Sequence, residues 1–194
     1  MLVLAAFPPE LAALDATFER ATVGVGLVEA ALGAARVLRE RKPDRVVLVG
    51  TVGAYPGSGL AIGEVVRAET VLLAAHSGAL IEAIPQRIDV DRSDPNDLAS
   101  GTGVVVATTL AVTTDDAVAV ALAAATGAQV EHLEAFAVAR ACAEAGVRFA
   151  ALFGVANTVG ARGRDEWREN HERAAAAACG ALDLRNRPTM RSRV

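Results

Sequence analysis

Five short segments of this chain carry side chains that could do chemistry, and each begins or ends an expected strand or helix. They are Phe7–Glu10, Gly24–Glu29, Gly50–Tyr55, Glu131–Glu134 and Phe153–Thr158. A carboxylate such as Glu10 or Glu134 can take a proton from water or accept hydrogen bonds from two neighbouring hydroxyls. The amide of Asn157 both donates and accepts hydrogen bonds. Each also has a plain structural interpretation, as an acid in the first turn of a helix or as a turn-forming asparagine.

The elements that position these residues alternate along the chain between buried strands and amphipathic helices. Short apolar runs predict strands at residues 2–6, 22–26, 45–50, 64–73, 104–109 and 149–153. Helical periodicity predicts helices at residues 10–20, 27–40, 117–126, 133–145 and 165–182. This alternation predicts an α/β fold, a three-layer sandwich with a mixed central sheet and helices on both faces. Ligands bind such sheets where strands end and loops begin.

Length, charge and hydropathy restrict the class of function. The 194 residues predict one domain, residues 1–184, followed by a basic C-terminal tail, residues 185–194. A net charge of −4 and a pI of about 5.4 argue against nucleic-acid binding, which needs a basic surface. No apolar run has the length and purity of a membrane span, and no signal sequence is recognisable. We therefore expect a cytoplasmic protein.

Cysteine and histidine residues are few and widely spaced. Cys142 and Cys179 lie in alanine-rich helical stretches without a CxxC partner, and we expect both to be inert thiols. His76, His132 and His171 do not have the spacing of metal ligands. The sequence therefore predicts no metal and no organic cofactor.

Three motifs, in their order and spacing, resemble the nucleoside phosphorylase and nucleosidase superfamily. They are VGVGLVEAA at residues 23–31, RVVLVGTVGAYPGSGLAIGEVV at 45–66 and VEHLEAFAVARACAEAGVRFAALFGVAN at 130–157. The resemblance covers roughly residues 2–75 and 104–180. It is greatest to the small hydrolases, methylthioadenosine/adenosylhomocysteine nucleosidase and futalosine hydrolase, and GARGRDEW at 160–167 resembles the RD…W stretch of the latter. The resemblance implies an enzyme that splits the bond between a purine base and a ribose.

The resemblance gives roles to two carboxylates. Glu134 matches the family's acid that accepts hydrogen bonds from the ribose 2′- and 3′-hydroxyls, and Leu133 matches the apolar residue packed against the ribose. Negative charge there suits a sugar that becomes oxocarbenium-like as the base leaves. Glu10 matches the general base that activates the attacking water. The Pro8-Pro9 pair before it departs from the acid-rich segment of the family's hydrolases.

Asn157 matches the position that selects the purine. Relatives that cleave adenine carry Asp there, and relatives that act on 6-oxopurines often carry Asn. An amide can donate to O6 while its own oxygen accepts from a protonated N7, whereas a carboxylate would face O6 as acceptor against acceptor. The resemblance therefore implies a 6-oxopurine nucleoside, with futalosine as the leading substrate and hypoxanthine as the product.

The choice between hydrolysis and phosphorolysis depends on a phosphate site. Phosphorylases of the family place an arginine in the loop after the first strand and another near the glycine-rich turn. This chain has no arginine in AAFPPE or in VGTVGAYPGSG, so water is the expected nucleophile. Thr51, Val52 and Gly53 begin the glycine-rich turn and are expected to line the ribose face. A purine nucleoside phosphorylase that uses phosphate remains an alternative.

Two departures from the family lie next to the predicted base site. Phe153, expected to contact the substrate, stands where arginine is common, and Ala156 stands where serine is common. With the proline pair and the short chain, they leave a second alternative open, a catalytically weakened nucleoside-binding homologue. In each case the expected partner is a small nucleoside, and the resemblance implies a homo-oligomer, most simply a dimer.

Overall fold

A mixed sheet runs through the computed structural model, which describes residues 1–75, 87–90 and 101–186. The predicted basic tail lies almost entirely outside the described residues, as do His76 and most of the weakly patterned stretch that follows it. The eight strands are β1 Leu2–Ala5, β2 Glu19–Thr22, β3 Arg45–Ala54, β4 Val65–Leu73, β5 Arg87–Asp89, β6 Thr102–Thr108, β7 Val130–His132 and β8 Arg148–Thr158.

The order of strands is β2-β1-β3-β7-β6-β4-β5, and β8 pairs with both β3 and β4. The pairings of β3, β8, β4, β6 and β7 therefore close a ring within the sheet. Strand β3 pairs in parallel with β8 along its whole length, from Arg45 to Ala54. These two strands form the central pair of the sheet.

Within the described residues, four helices cover the two faces of the sheet: α1 Leu27–Arg41, α2 Asp116–Thr126, α3 Ala135–Ala145 and α4 Gly163–Asn186. Side chains along a strand alternate between faces. Leu2 and Leu4 of β1 accordingly pack in the core that contains α1 and α3, whereas Val3 and Ala5 pack in the core that contains α4. The predicted α/β sandwich with helices on both faces is confirmed.

The helix predicted over residues 10–20 is wrong. Only a 3₁₀ turn forms, at Pro8–Leu11, and the chain then bends into β2. Asp15 accepts hydrogen bonds from both the amide and the hydroxyl of Thr17 at 2.8 Å, a local turn that competes with a helix. Arg20 donates to the carbonyls of Leu11 and Leu14, so carbonyls that a helix would have used are bound by a side chain.

Strand boundaries also differ from the predictions. The strand expected at 22–26 lies earlier, at β2, because Gly24 and Gly26 adopt φ values of 100° and 89°. The expected glycine-rich turn after Gly50 is instead the second half of β3, which continues to Ala54. Short β7 was not predicted. The helices predicted from residues 27, 117, 133 and 165 form; three of their boundaries are as predicted, and the other five are shifted by one to four residues.

Within the described residues, the structure contains no helix that combines the length and the apolar character needed to cross a membrane.

Candidate active site

A cleft of about 390 Å³ opens where β3, β7 and β8 end and α3 and α4 begin. Seven of the eight residues predicted from the sequence line it. They are Glu10, Thr51, Val52, Gly53, Leu133, Glu134 and Asn157. The eighth, Phe153, does not line the cleft. Residues far apart in the sequence therefore meet around one cavity.

Glu10 lies on the 3₁₀ turn and is buried, with 4% of its surface exposed. Its Oε2 accepts a hydrogen bond from the amide of Ala6 at 3.1 Å, and its Oε1 accepts two from Thr51, from the amide at 3.1 Å and from the hydroxyl at 3.3 Å. A carboxylate oxygen has two lone pairs. Oε1 is therefore fully used, and Oε2 keeps one lone pair that can take a proton.

The pKa of Glu10 is raised from 4.5 to about 7, mainly by burial and also by the nearby charge of Glu134, which together outweigh the lowering effect of the hydrogen bonds from Ala6 and Thr51. A pKa close to neutral is what a general base needs, because the group is both substantially ionised and basic enough to accept a proton.

Gly50 makes room for this carboxylate. A Cβ atom at position 50 would lie 2.7 Å from Glu10 Oε1, closer than real Cβ atoms approach other atoms. Gly53 does the same for the amide, because its Cβ would lie 2.9 Å from Asn157 Nδ2. Glycine at both positions thus lets two polar side chains lie against the strand.

Glu134 precedes α3 at its N-cap position and is 5% exposed. Its Oε1 accepts a 2.7 Å hydrogen bond from the amide of Gly26, the residue that precedes α1. That single contact ties the glycine-rich segment before α1 to the carboxylate at the start of α3. The carboxylate still faces the cleft, where it can accept hydrogen bonds from a vicinal diol.

His132, next to this carboxylate in space, also lines the cleft. Its Nδ1 accepts hydrogen bonds from the amides of Glu134 and Ala135 at 3.0 and 3.1 Å, so the neutral ring carries its proton on Nε2. Burial lowers the pKa of His132. The ring is therefore neutral and forms no ion pair with Glu134, although Nδ1 lies 3.1 Å from Oε2.

Asn157 lies near the end of β8, where a register shift opposite Val52 and Gly53 places it beside Gly53. Its Nδ2 donates to the carbonyl of Thr158 at 2.9 Å, a contact that fixes the plane of the amide. The amide retains its oxygen and a second hydrogen for a ligand. That is the donor and acceptor pair expected for a 6-oxopurine.

Phe153 differs from its predicted role as a substrate contact. It is fully buried in the core formed with α1 and α3, and its ring lies 4.4 Å from that of His132. Alternation along β8 explains this placement, because Ala151, Phe153 and Val155 all point to that core. Phe153 supports His132 from behind and has no surface toward the cleft.

Glu131 and Trp167 are two of the cleft residues that were not among the predicted site residues. Glu131, 7% exposed, accepts hydrogen bonds from Tyr55 at 3.0 Å and from the amide and hydroxyl of Thr113 at 3.0 and 2.6 Å, and so fixes the loop before α2. Trp167, on the first turns of α4, lies over Thr51. The sequence signal for Glu131 was the density of polar residues in Glu131–Glu134, and the signal for Trp167 was the RDEW segment.

The charge of the cleft is mainly negative. Among the described residues, three carboxylates line it, from Glu10, Glu131 and Glu134, and the one arginine that does so is Arg164. The backbone amides of Gly24 and Gly26 donate within the protein, to the carbonyl of Ala6 and to Glu134, and so are not available to hold an anion. Across residues 1–75, 87–90 and 101–186, no group of three or more His, Cys, Asp or Glu side chains is arranged to hold a metal ion.

Comparison with known proteins gives one family. Residues 20–184 match the Phosphorylase superfamily. The chain is similar to the futalosine hydrolase of Thermus thermophilus, with 33% identity over 170 residues that cover 79% of this chain and 75% of that protein.

Solved structures agree in fold. A futalosine hydrolase mutant of Helicobacter pylori superposes with a TM-score of 0.85 at 15% identity, over 95% of this chain and 96% of that one. The S-adenosylhomocysteine nucleosidase of Streptococcus pyogenes, solved with 5-methylthiotubericidin, superposes with a TM-score of 0.82 at 20% identity, over 96% of each chain.

Proposed function

Because the chain belongs to the phosphorylase superfamily, we propose that it hydrolyses the N-glycosidic bond of a 6-oxopurine nucleoside. Futalosine is the proposed substrate and hypoxanthine the released base. The observation that carries the proposal is the convergence of Glu10, Glu134 and Asn157 on one cleft. They supply the three functions that the hydrolysis needs: a base for water, an anchor for the ribose and a partner for the leaving purine.

In the proposed reaction, a water held at Glu10 Oε2 gives its proton to that oxygen while its own oxygen forms a bond to C1′. The C1′–N9 bond breaks, and its electron pair leaves with the purine. The ribose gains positive charge in the transition state, and the carboxylate of Glu134 at its hydroxyls stabilises that charge. Asn157 cannot act as a strong acid, so the purine takes its proton from solvent and the amide oxygen accepts from N7–H.

Water is favoured over phosphate by the charge of the cleft. Three carboxylates line it, and a phosphate dianion would be repelled by each of them. The backbone amides of Gly24 and Gly26 are already used by the protein itself. Phosphate binding needs unoccupied donors or positive charge, and in the part of the cleft that the structure describes Arg164 alone offers the latter.

The choice of base rests on Asn157 and on one relative. The 33% identity to a futalosine hydrolase covers most of the chain, and the amide retains both a donor and an acceptor. The solved nucleosidases that share the fold are named for adenosine-type substrates, so adenine release is the competing outcome.

A dimer is also proposed. Val25, Val28 and Leu32 at the start of α1 are 56–65% exposed, and Leu110 and Val112 are 72% and 55% exposed. Val25 and Val112 also line the cleft, so each of these two exposed apolar segments borders it. Exposed apolar surface of this kind is typical of a contact between proteins, and most oligomers of soluble proteins are built from identical chains. We therefore infer that a second copy of this chain covers these residues. Sedimentation at micromolar concentration should give the mass of a dimer, and a monomer would contradict this.

One incubation tests the function. The enzyme is mixed with futalosine, inosine or methylthioadenosine, with and without phosphate, and the products are separated by chromatography. Free hypoxanthine from futalosine at a rate independent of phosphate is expected. Release of adenine but not hypoxanthine would contradict the role of Asn157, and ribose 1-phosphate would identify a phosphorylase. Tight nucleoside binding without cleavage would favour the weakened homologue.

A further inference from the structure

We propose that Trp167 is a positioning residue for the general base and acts through the hydroxyl of Thr51. The inference rests on the proposed function, in which Glu10 accepts the proton of water. The indole Nε1 of Trp167 lies 3.1 Å from Thr51 Oγ1, and that oxygen lies 3.3 Å from Glu10 Oε1. Three side chains from α4, β3 and the 3₁₀ turn thus form one chain of hydrogen bonds that ends on the base.

The direction of this chain follows from the groups themselves. An indole N–H can only donate, and an ionised carboxylate can only accept. The hydroxyl of Thr51 has one hydrogen and two lone pairs, so it accepts from Trp167 and gives its own hydrogen to Glu10. No other arrangement satisfies all three groups at once when Glu10 is ionised.

The consequence for Glu10 is a fixed carboxylate. A threonine hydroxyl rotates, and without the indole its hydrogen can turn toward other acceptors or toward water. With the indole in place, Oε1 keeps two donors and the lone pair available for water stays on Oε2. Hydrogen bonds in a connected chain also polarise one another, which strengthens the bond that reaches the carboxylate.

Two other rings lie next to the indole. It stacks on the ring of His171 at 4.2 Å with an interplanar angle of 18°, and the ring of Phe7 lies 6.3 Å away with a tilt of 43°. His171 Nδ1 lies 3.1 Å from the carbonyl of Trp167. Among the described residues, the titratable or charged groups next to this chain of hydrogen bonds include His171, stacked on the indole, and Cys179, whose thiol donates to the Glu10 carbonyl. Glu134 raises the pKa of Glu10, and Glu131, His132 and Arg164 line the same cleft.

Kinetics against pH separate positioning from packing. The hydroxyl of Thr51 lowers the pKa of Glu10, so Thr51→Val should move the acid limb of kcat upward by roughly one pH unit. The kcat of Thr51→Val should therefore be about tenfold below that of the wild type at pH 6 and little changed at pH 9. Thr51→Ser keeps the hydroxyl and should restore the wild-type limb.

Trp167→Phe keeps an aromatic ring but removes the donor. It should move the limb in the same direction by a smaller amount, with KM little changed. In the Thr51→Val background, Trp167→Phe should cause no further movement, because the path to Glu10 is already cut. A rise in KM alone, or limb shifts that add in the double variant, would overturn the proposal.

A second readout needs no substrate. Trp167 is the single tryptophan of the chain, so the protein's tryptophan fluorescence reports on the surroundings of this one indole. In the free protein its emission should change with a midpoint near pH 7, where Glu10 titrates, and Glu10→Gln should abolish the change. His171→Gln is the control for the stacked ring. A transition that survives Glu10→Gln and disappears in His171→Gln would refute the link, whether or not the protein cleaves any nucleoside.

Discussion

Replacing the general base should make the protein inactive and, at alkaline pH, relatively more stable. In Glu10→Gln the buried carboxylate becomes a neutral amide of similar shape. The pKa of Glu10 is raised from 4.5 to about 7 in the folded protein, so ionisation of this group opposes folding. A difference of that size is worth about 3 kcal/mol of unfolding free energy.

The sign follows from the direction of the pKa change. A carboxyl group with a raised pKa in the folded state costs nothing below about pH 4.5, where it is protonated in both states. Its cost grows as the pH rises toward about 7 and is complete above that value. The wild type should therefore lose about 3 kcal/mol relative to Glu10→Gln across this range.

Urea unfolding followed by circular dichroism at pH 5, 6, 7 and 8 measures this difference. The difference in unfolding free energy between the two proteins also includes a destabilisation of Glu10→Gln that does not depend on pH, because the amino group of the new amide faces backbone donors at Ala6 or Thr51. The dependence on pH is free of that destabilisation. Glu40→Gln, at an exposed position on α1, is the matched control. If the unfolding free energies of wild type and Glu10→Gln changed equally with pH, the claim that a buried carboxylate with a raised pKa lies at position 10 would be refuted.

Three further substitutions test the cleft. Gly50→Ala should lower kcat roughly hundredfold by displacing Glu10, whereas Gly180→Ala, at an open helical position, should leave turnover intact in the same assay. Asn157→Asp should shift the ratio of adenine to hypoxanthine release toward adenine by at least about tenfold, because a carboxylate cannot donate to O6; an unchanged ratio counts against base selection here. Glu134→Ala should remove the preference for inosine over 2′-deoxyinosine in kcat/KM, and a retained preference would place the ribose hydroxyls elsewhere.

Much of the scaffold could be predicted from periodicity. Helix α1 has regular apolar spacing, and α3 ends at Gly146, which adopts the left-handed conformation typical of a helix C-terminus. The strand near the N-terminus and the one from Arg45 are continuous apolar runs. The segment after Pro9 could not be predicted correctly, because its helical pattern is overridden by the hydrogen bonds of Arg20 and Asp15.

The site was predictable in position but not in detail. Segments at strand ends met at one cleft, as the rule for α/β sheets requires. Two residues depended on local geometry that the sequence does not specify. Phe153 follows the alternation of β8 into the core, and Asn157 reaches the cleft through a register shift in the same strand. Three-residue β7 has too little pattern to be recognised, although it carries Glu131 to Gly53 and closes the ring.

The central claim is that this cleft hydrolyses a 6-oxopurine nucleoside with Glu10 as the base. The most direct measurement is hypoxanthine release from futalosine in phosphate-free buffer by the wild type and by Glu10→Gln at pH 8. The wild type should release one hypoxanthine for each futalosine consumed, and Glu10→Gln should lower kcat by a factor of at least about 100 while still binding substrate. Equal turnover by the two proteins, or no hypoxanthine from the wild type, would contradict the account.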